Sequence, residues 1–234
     1  KRSNFDVIIQ RSQFEKRTVD FKLAFAENGK VKGIFLTPEI KKFVFSNPDY
    51  YDSTKFVEKR KFIVTGEYRL PATLTLPTKS VNPPPVAILV HGSGPNDKDE
   101  TVGNTKIFRD LAVGLAAQGI AVLRYAKRTR NYGKKMASTV KNLTGKEETI
   151  DDVISAIKLL EIDSTVNGKR IYLIGHSLGG MLLPRIAQQS RDISGIIMMA
   201  ANSRPIEDLM LDHLEYLQGF DSSSQNSFVV LDSM

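Results

Sequence analysis

The chain has 234 residues, of which 41% are hydrophobic and 25% are charged, and its formal net charge at pH 7 is +7. These values are ordinary for a globular protein, and no apolar stretch approaches the ~18 residues that a membrane-spanning helix needs. The sequence has no cysteine, which excludes disulfides, a cysteine nucleophile and thiolate metal ligands.

The excess of positive charge comes in part from clusters in the middle of the chain. Lys127 and Arg128 adjoin Arg130, and Lys134 and Lys135 follow closely. A basic balance is compatible with a nucleic acid or an anionic surface as partner. There is no recognised nucleic-acid module and no tryptophan, so we interpret the clusters as a solvated basic face and predict no nucleic-acid partner.

The N-terminal part of the chain predicts short strands followed by a linker. Residues 5–10 form one short apolar run, and residues 18–26 alternate apolar with polar side chains. An Asn-Gly pair then favours a turn back into residues 31–36, which is a hairpin signal. The polar, tyrosine-rich residues 38–54 are typical of a linker.

From residue 56 onward, strand and helix signals alternate. Residues 56–64 and 70–76 are separated by Gly66 and predict an antiparallel hairpin. The later alternation of apolar strands with segments of helical period is typical of βαβ units and a mainly parallel sheet. The predicted strands are 86–90, 120–125, 171–174 and 193–201, and the predicted helices are 105–118, 149–160, 181–189 and 205–217.

Residues 175–179 join a predicted strand to a predicted helix and have the pattern G-x-S-x-G. This pattern is typical of a nucleophile elbow, a strained turn that lifts the serine hydroxyl above the edge of the sheet. Glycine at 175 and 179 removes the side chains that would collide across the turn. The alternative is an ordinary glycine-rich turn. The strand before it and the helix after it favour the elbow, with Ser177 as the catalytic nucleophile.

A second motif follows the predicted strand 86–90 and begins with His91-Gly92-Ser93-Gly94. A loop at this place supplies one N–H group of an oxyanion hole, and the residue after the nucleophile supplies the other. We therefore predict an oxyanion hole formed by the backbone N–H groups of Ser93, or its neighbour, and Leu178.

With both motifs, the chain resembles the α/β-hydrolase family. Within it, the chain is similar to bacterial esterase-type serine hydrolases that carry H-G-S-G-P-N-D and G-H-S-L-G-G motifs, over about residues 56–217. The resemblance implies a mainly parallel sheet flanked by helices, a small ester or acyl substrate and no cofactor. It also implies that residues 1–54 are the end of a small α+β domain of unknown function with a linker, and that residues 55–234 are the hydrolase domain. Such a domain precedes secreted hydrolases, which implies a location outside the cytoplasm.

The base and the acid of a catalytic triad are not found in this sequence. In this fold the triad follows the order serine, acid, histidine, and His213 alone follows Ser177, within a predicted helix. The strand that would precede the acid is reduced to residues 228–231, without the expected glycine turn. We expect the hydrolase domain to be incomplete at its C-terminus, and we predict that no histidine reaches the Ser177 hydroxyl. The first residue, Lys1, likewise suggests a trimmed N-terminus.

Three further side chains are candidates for contact with the substrate. His91 opens the second motif and His176 precedes Ser177, and the alternative is that they hold loops in place through hydrogen bonds. Arg128 follows a strand at its carboxyl end and suits a substrate carboxylate, the alternative being a salt bridge to Asp97 or Asp99. No metal site is predicted, because those aspartates have no histidine or cysteine at ligand spacing.

These observations favour an esterase-type serine hydrolase with an acyl-enzyme on Ser177, and two alternatives stay open. One is a peptidase, which uses the same core. The other is a non-catalytic hydrolase fold used for binding or assembly, which the missing triad partners favour, as does Ala126 where related hydrolases carry aspartate. The strand 193–201 would be an apolar sheet edge, which predicts a cover by residues 228–231 or by a second copy of the chain.

Overall fold

The computed structural model describes residues 6–16, 18–26, 28–37, 44–190 and 193–218. The chain divides into two compact units, Lys1–Val44 and Phe45–Met234. Among the described residues, no helix combines the length and the apolar character needed to cross a bilayer.

The smaller unit contains a three-stranded antiparallel sheet in the order β1-β2-β3. Its strands are β1 (Asp6–Gln13), β2 (Thr18–Phe25) and β3 (Val31–Thr37). The predicted hairpin between the second and third strands is confirmed, with Leu23 opposite Ile34. Gly29 has a φ of 73° in the turn, a conformation that glycine adopts without steric cost.

The larger unit contains a six-stranded mixed sheet in the order β11-β10-β6-β9-β5-β4. The strands β6, β9, β10 and β11 pair in parallel, whereas β4, β5 and β9 pair antiparallel. This arrangement confirms the predicted mainly parallel sheet with an antiparallel opening hairpin. The strands are β4 (Phe56–Thr65), β5 (Tyr68–Pro77), β6 (Val86–Val90), β9 (Ala121–Tyr125), β10 (Ile171–His176) and β11 (Ile193–Met199), and a small hairpin of β7 (Thr101–Val102) and β8 (Thr105–Lys106) lies apart.

Helices cover the sheet through two separate apolar layers. Alternate residues of β6 point to opposite faces, as the two-residue period of a strand requires. Ala87 and Leu89 pack with Phe108 in one layer, and Val86 and Ile88 belong to the other, larger layer. The helices are α1 (Ile107–Ala117), α2 (Arg128–Thr139), α3 (Asp151–Glu161), α4 (Leu178–Gln189) and α5 (Ile206–Gln218), with a π-helical turn (Lys146–Ile150) before α3.

The helix α2 was not predicted from the sequence. Its side chains are mostly polar, and Met136 is its one buried apolar residue, so the helical period is weak. The helix also has a kink at Tyr132, whose φ of −127° is not helical. Position in the chain, between β9 and α3, is the signal that would have indicated a helix here.

The first ten residues of the larger unit pack against α1, although the sequence predicted them to belong to a linker ending at residue 54. The Arg109 guanidinium lies 4.7 Å from the Phe45 ring centre and donates a hydrogen bond to Asn47 at 2.9 Å. The Tyr50 ring packs against Gly114, where a Cβ atom would lie 3.1 Å from the ring. These contacts explain why the structure divides after Val44.

Among the described strands, β11 lies at an edge of the six-stranded sheet, as the sequence predicted for the strand 193–201. Its apolar side chains are exposed, with Ile197 at 52% and Met198 at 47% of full exposure. The predicted covering strand, residues 228–231, lies outside the described residues.

Candidate active site

Ser177 occupies a sharp turn between β10 and α4. Its backbone angles are φ 51° and ψ −119°, a conformation that costs a non-glycine residue about 1–3 kcal/mol. The Ser177 N–H group donates to the Met199 carbonyl of the neighbouring strand at 2.9 Å, which anchors the turn to the sheet. The predicted strained turn from strand to helix is therefore confirmed.

Glycine is required on both sides of Ser177 by close contacts between backbone segments. A Cβ atom on Gly175 would lie 2.6 Å from the Gly179 carbonyl carbon. One on Gly179 would overlap the carbonyl oxygens of Val90 and His91, the second at 2.5 Å. Separations this short do not occur for real side chains. The two glycines therefore allow α4 to approach both β10 and β6.

The loop after β6 lies directly beside the turn at Ser177. A Cβ atom placed on Gly92 would lie 3.3 Å from the Ser177 Cβ atom. Leu178 is the first residue of α4, where backbone N–H groups have no partner within the helix. Within residues 44–190, the N–H groups of Ser93 and Leu178 are not bound to any backbone carbonyl. Two donors that bind no backbone carbonyl in this range thus belong to segments that meet at Ser177.

A hydrogen bond to the Glu100 carboxylate anchors the loop after β6. Its side chain is 3% exposed, and its Oε1 atom accepts a hydrogen bond from the Gly92 N–H at 2.8 Å. The same oxygen lies 3.2 Å from His176 Nδ1, without hydrogen-bond geometry. The φ of Glu100 is 47°, so its backbone is strained where it turns a buried carboxylate toward the loop.

Lys127 and Asn96 hold the carbonyl group of the same glycine. The buried Lys127 Nζ donates to the Gly92 oxygen at 2.8 Å, and Asn96 Nδ2 donates to it at 3.2 Å. Lys127 also forms an ion pair with Glu148. Burial lowers the pKa of Lys127, and the hydrogen bond to Glu148 opposes that change. The interpretation of Lys127 as part of a solvated basic face is wrong, because its side chain is 1% exposed.

His91, which was expected to contact the substrate, lies inside the protein. Its ring is fully buried between Phe108 and Tyr125, with ring centres at 4.8 and 5.1 Å. Burial lowers its pKa to about 3, so the ring is neutral at pH 7. Its Nε2 atom lies 3.0 Å from the Asp97 carbonyl and must donate, because a carbonyl only accepts. His91 therefore holds the loop, and the expectation of substrate contact is corrected.

Arg128 is likewise not available to a substrate. Its side chain is buried, it forms an ion pair with Asp152, and its guanidinium lies 4.6 Å from the Tyr68 ring centre. The alternative salt bridge to Asp97 or Asp99 is also wrong, because Asp99 pairs with Arg124 instead. Arg128 thus joins α2 to α3 through Asp152, and removing either partner would leave a buried charge unpaired.

Among the described residues, no histidine forms a hydrogen bond with the Ser177 hydroxyl. His213 lies on the exposed surface of α5, and His91 is buried behind the loop. His176 directly precedes Ser177, is 29% exposed and stays a candidate for contact with a substrate.

The sequence did not single out Glu100 and Lys127 as site residues. Both follow strands or turns that end at the carboxyl edge of the parallel sheet, which is where sites form in α/β proteins. Their position at this edge was the feature that could have identified them as site residues. Their charge instead suggested solvent exposure, because Lys and Glu are seldom fully buried unless they are paired.

The sequence of this chain is similar to those of known hydrolases. Residues 87–224 match the family described as serine aminopeptidase, S33. Over 224 residues the chain is 41% identical to Esterase EstD of Thermotoga maritima, covering 95% of the chain and 51% of that protein. The chain thus spans about half the length of this curated relative.

A solved structure shares the fold at low sequence identity. The brefeldin A esterase, described as a bacterial homologue of human hormone sensitive lipase, superposes with a TM-score of 0.51 and is 15% identical. The superposition covers 68% of this chain and 44% of that chain, and it supports the α/β-hydrolase fold alone.

Proposed function

Since the chain belongs to the serine aminopeptidase S33 family of α/β-hydrolases, we propose that it carries the nucleophile of an esterase-type serine hydrolase. The substrates are esters or related acyl compounds, and the reaction passes through an acyl-enzyme on Ser177. The observation that carries the proposal is the position of Ser177. It occupies a strained turn beside Gly92, and the two proposed donors, Leu178 and Ser93, directly follow Ser177 and Gly92 in the chain.

In the proposed reaction, the Ser177 oxygen attacks the carbonyl carbon of the substrate while its proton passes to a base. The electrons of the carbonyl bond move to oxygen, which is bound by the two backbone N–H groups. Collapse of this intermediate breaks the bond to the alcohol, which leaves with the proton from the base. Water then attacks the acyl-enzyme in the same way, and the acid is released.

The oxyanion hole supplies electrostatic stabilisation that is already in place before the reaction. One backbone donor of this type is worth about 3 kcal/mol in the transition state. In our proposal Ser93 and Leu178 are these donors, and the side chain of His176 contacts the substrate beside them. No cofactor takes part.

A second candidate function, a hydrolase fold used for binding or assembly, is favoured by the missing histidine partner of Ser177. A peptidase would use the same nucleophile and oxyanion hole, and the family description favours this alternative over others within enzymes.

We expect the chain to hydrolyse p-nitrophenyl acetate only slowly, because a serine hydroxyl without a base is a poor nucleophile. The expected rate is several orders of magnitude below that of a complete triad. Steady-state release of p-nitrophenol by the chain and by Ser177→Ala measures it. Rapid turnover by the chain that disappears in the variant would show that a described residue is the base.

We also propose that a second copy of the chain covers the edge strand β11. Exposed apolar edges with unpaired N–H and C=O groups promote pairing. Size-exclusion chromatography with light scattering should give a dimer or larger species. Amide exchange at residues 196–199 should be slow. A monomer with fast exchange along this strand would contradict the proposal.

A further inference from the structure

We propose that Lys127 is a positioning residue that directs the Ser93 N–H group toward the reacting carbonyl oxygen. The inference rests on the proposed function, because it assigns a role within the oxyanion hole. Lys127 does not touch the substrate in this proposal. It acts through the peptide unit that joins Gly92 to Ser93.

The carbonyl of Gly92 and the N–H of Ser93 belong to one planar peptide unit. In a trans peptide these two groups point in opposite directions. The carbonyl is bound by Lys127 Nζ at 2.8 Å and by Asn96 Nδ2 at 3.2 Å. Two donors on one side of the unit therefore turn the Ser93 N–H group to the other side.

Lys127 is held firmly enough to set this orientation. Its backbone N–H donates to the Asn96 carbonyl at 3.1 Å, so the lysine and the loop are joined at main-chain level as well. Its ammonium group is buried and paired with Glu148. A flexible surface lysine would not fix the orientation, whereas a buried and paired one loses its rotational freedom on folding.

The charge of Lys127 also makes the peptide a better donor. A cation at the carbonyl oxygen polarises the peptide unit, and hydrogen bonds in such a chain strengthen one another. The Ser93 N–H group then binds a developing negative charge more tightly than an ordinary amide does. This effect needs the positive charge as well as the hydrogen bond.

Glu100 fixes the preceding peptide unit, which joins His91 to Gly92. It accepts the Gly92 N–H at 2.8 Å, so that donor is already occupied. Both peptide units around Gly92 are thus fixed by buried charged side chains, one negative and one positive. Donors fixed in advance need no reorganisation when charge develops in the transition state.

The orientation of the Ser93 N–H bond tests the proposal without any turnover. We expect its residual dipolar coupling, measured on the folded ¹⁵N-labelled chain, to change in Lys127→Met. Lys61→Met is the matched control, because Lys61 is a partly buried lysine paired with Asp163. The control should leave the Ser93 coupling unchanged. If Lys127→Met does not fold, Lys127→Met with Glu148→Gln removes both charges and serves instead.

The rate of covalent labelling of Ser177 by a fluorophosphonate tests whether the orientation of the Ser93 N–H group affects the reaction. We expect the second-order rate constant to fall about 100-fold in Lys127→Met, close to the cost of losing one oxyanion donor. It should stay within about twofold of the original in Lys61→Met.

A Ser93 N–H coupling that is the same in Lys127→Met as in the original chain would overturn the proposal. So would a changed coupling with an unchanged labelling rate. Without a base beside Ser177, labelling of the original chain is expected to be slow, so the rate constants are measured over long incubations. The complete absence of label at Ser177 would instead contradict the proposed function, and the coupling would still decide the role of Lys127.

Discussion

Replacing Ser177 by alanine should abolish covalent labelling of the chain by a fluorophosphonate. In this labelling the serine oxygen attacks phosphorus, a P–O bond forms, fluoride leaves and the hydroxyl proton passes to solvent. Alanine has no oxygen for this step. In any form of the protein with a complete triad, the same change should lower ester hydrolysis by roughly 10⁶-fold. Mass spectrometry of the intact and the digested chain measures the label and its position.

Ser155→Ala is the control for this experiment. Ser155 lies in α3, and its hydroxyl donates to the Asp151 carbonyl at 3.0 Å. The change removes one hydroxyl away from the elbow and should leave labelling of Ser177 intact. Label on a residue other than Ser177, or persistent labelling of Ser177→Ala, would contradict the assignment of the nucleophile.

Replacing Gly179 by alanine should destabilise the larger unit by about 3 kcal/mol, the upper end of the cost of overpacking. The added methyl group would overlap the carbonyl oxygens of Val90 and His91, which belong to backbone and cannot rotate away. Either α4 moves away from β6 or the loop is displaced. We expect the melting temperature to fall by about 6–12 °C, measured by circular dichroism at 222 nm.

Gly133→Ala in α2 is the matched control, because no atom lies within 4 Å of its added methyl group. Alanine is the better helix former, so this variant should be more stable by about 0.5–1 kcal/mol. Equal melting temperatures for Gly179→Ala and the original chain would show that the elbow accommodates a methyl group. The close contact with β6 would then not explain the glycine.

The alternation of strands and helices could be predicted because it depends on local pattern. A parallel strand buried on both faces must be apolar throughout, and residues 86–90 and 171–174 are. The turn at Ser177 could be predicted for a similar reason. A strained turn between a strand and a helix needs glycine at fixed positions, and these positions lie within five residues of one another.

The roles of charged side chains could not be predicted, because burial is decided by contacts between distant segments. Lys127 and Arg128 have the composition of a solvated basic face, yet they are buried and paired with Glu148 and Asp152. Those partners lie more than twenty residues further along the chain.

The sequence by itself determined the order of the sheet strands, the helices other than α2, the position of the turn at Ser177 and the loop that meets it. The tertiary structure decided which polar groups are buried around that loop, and so which of them act on it. Periodicity and turn chemistry are properties of neighbouring residues. The pairing of a buried charge is a property of the fold, because an ion leaves water only where another segment supplies its partner.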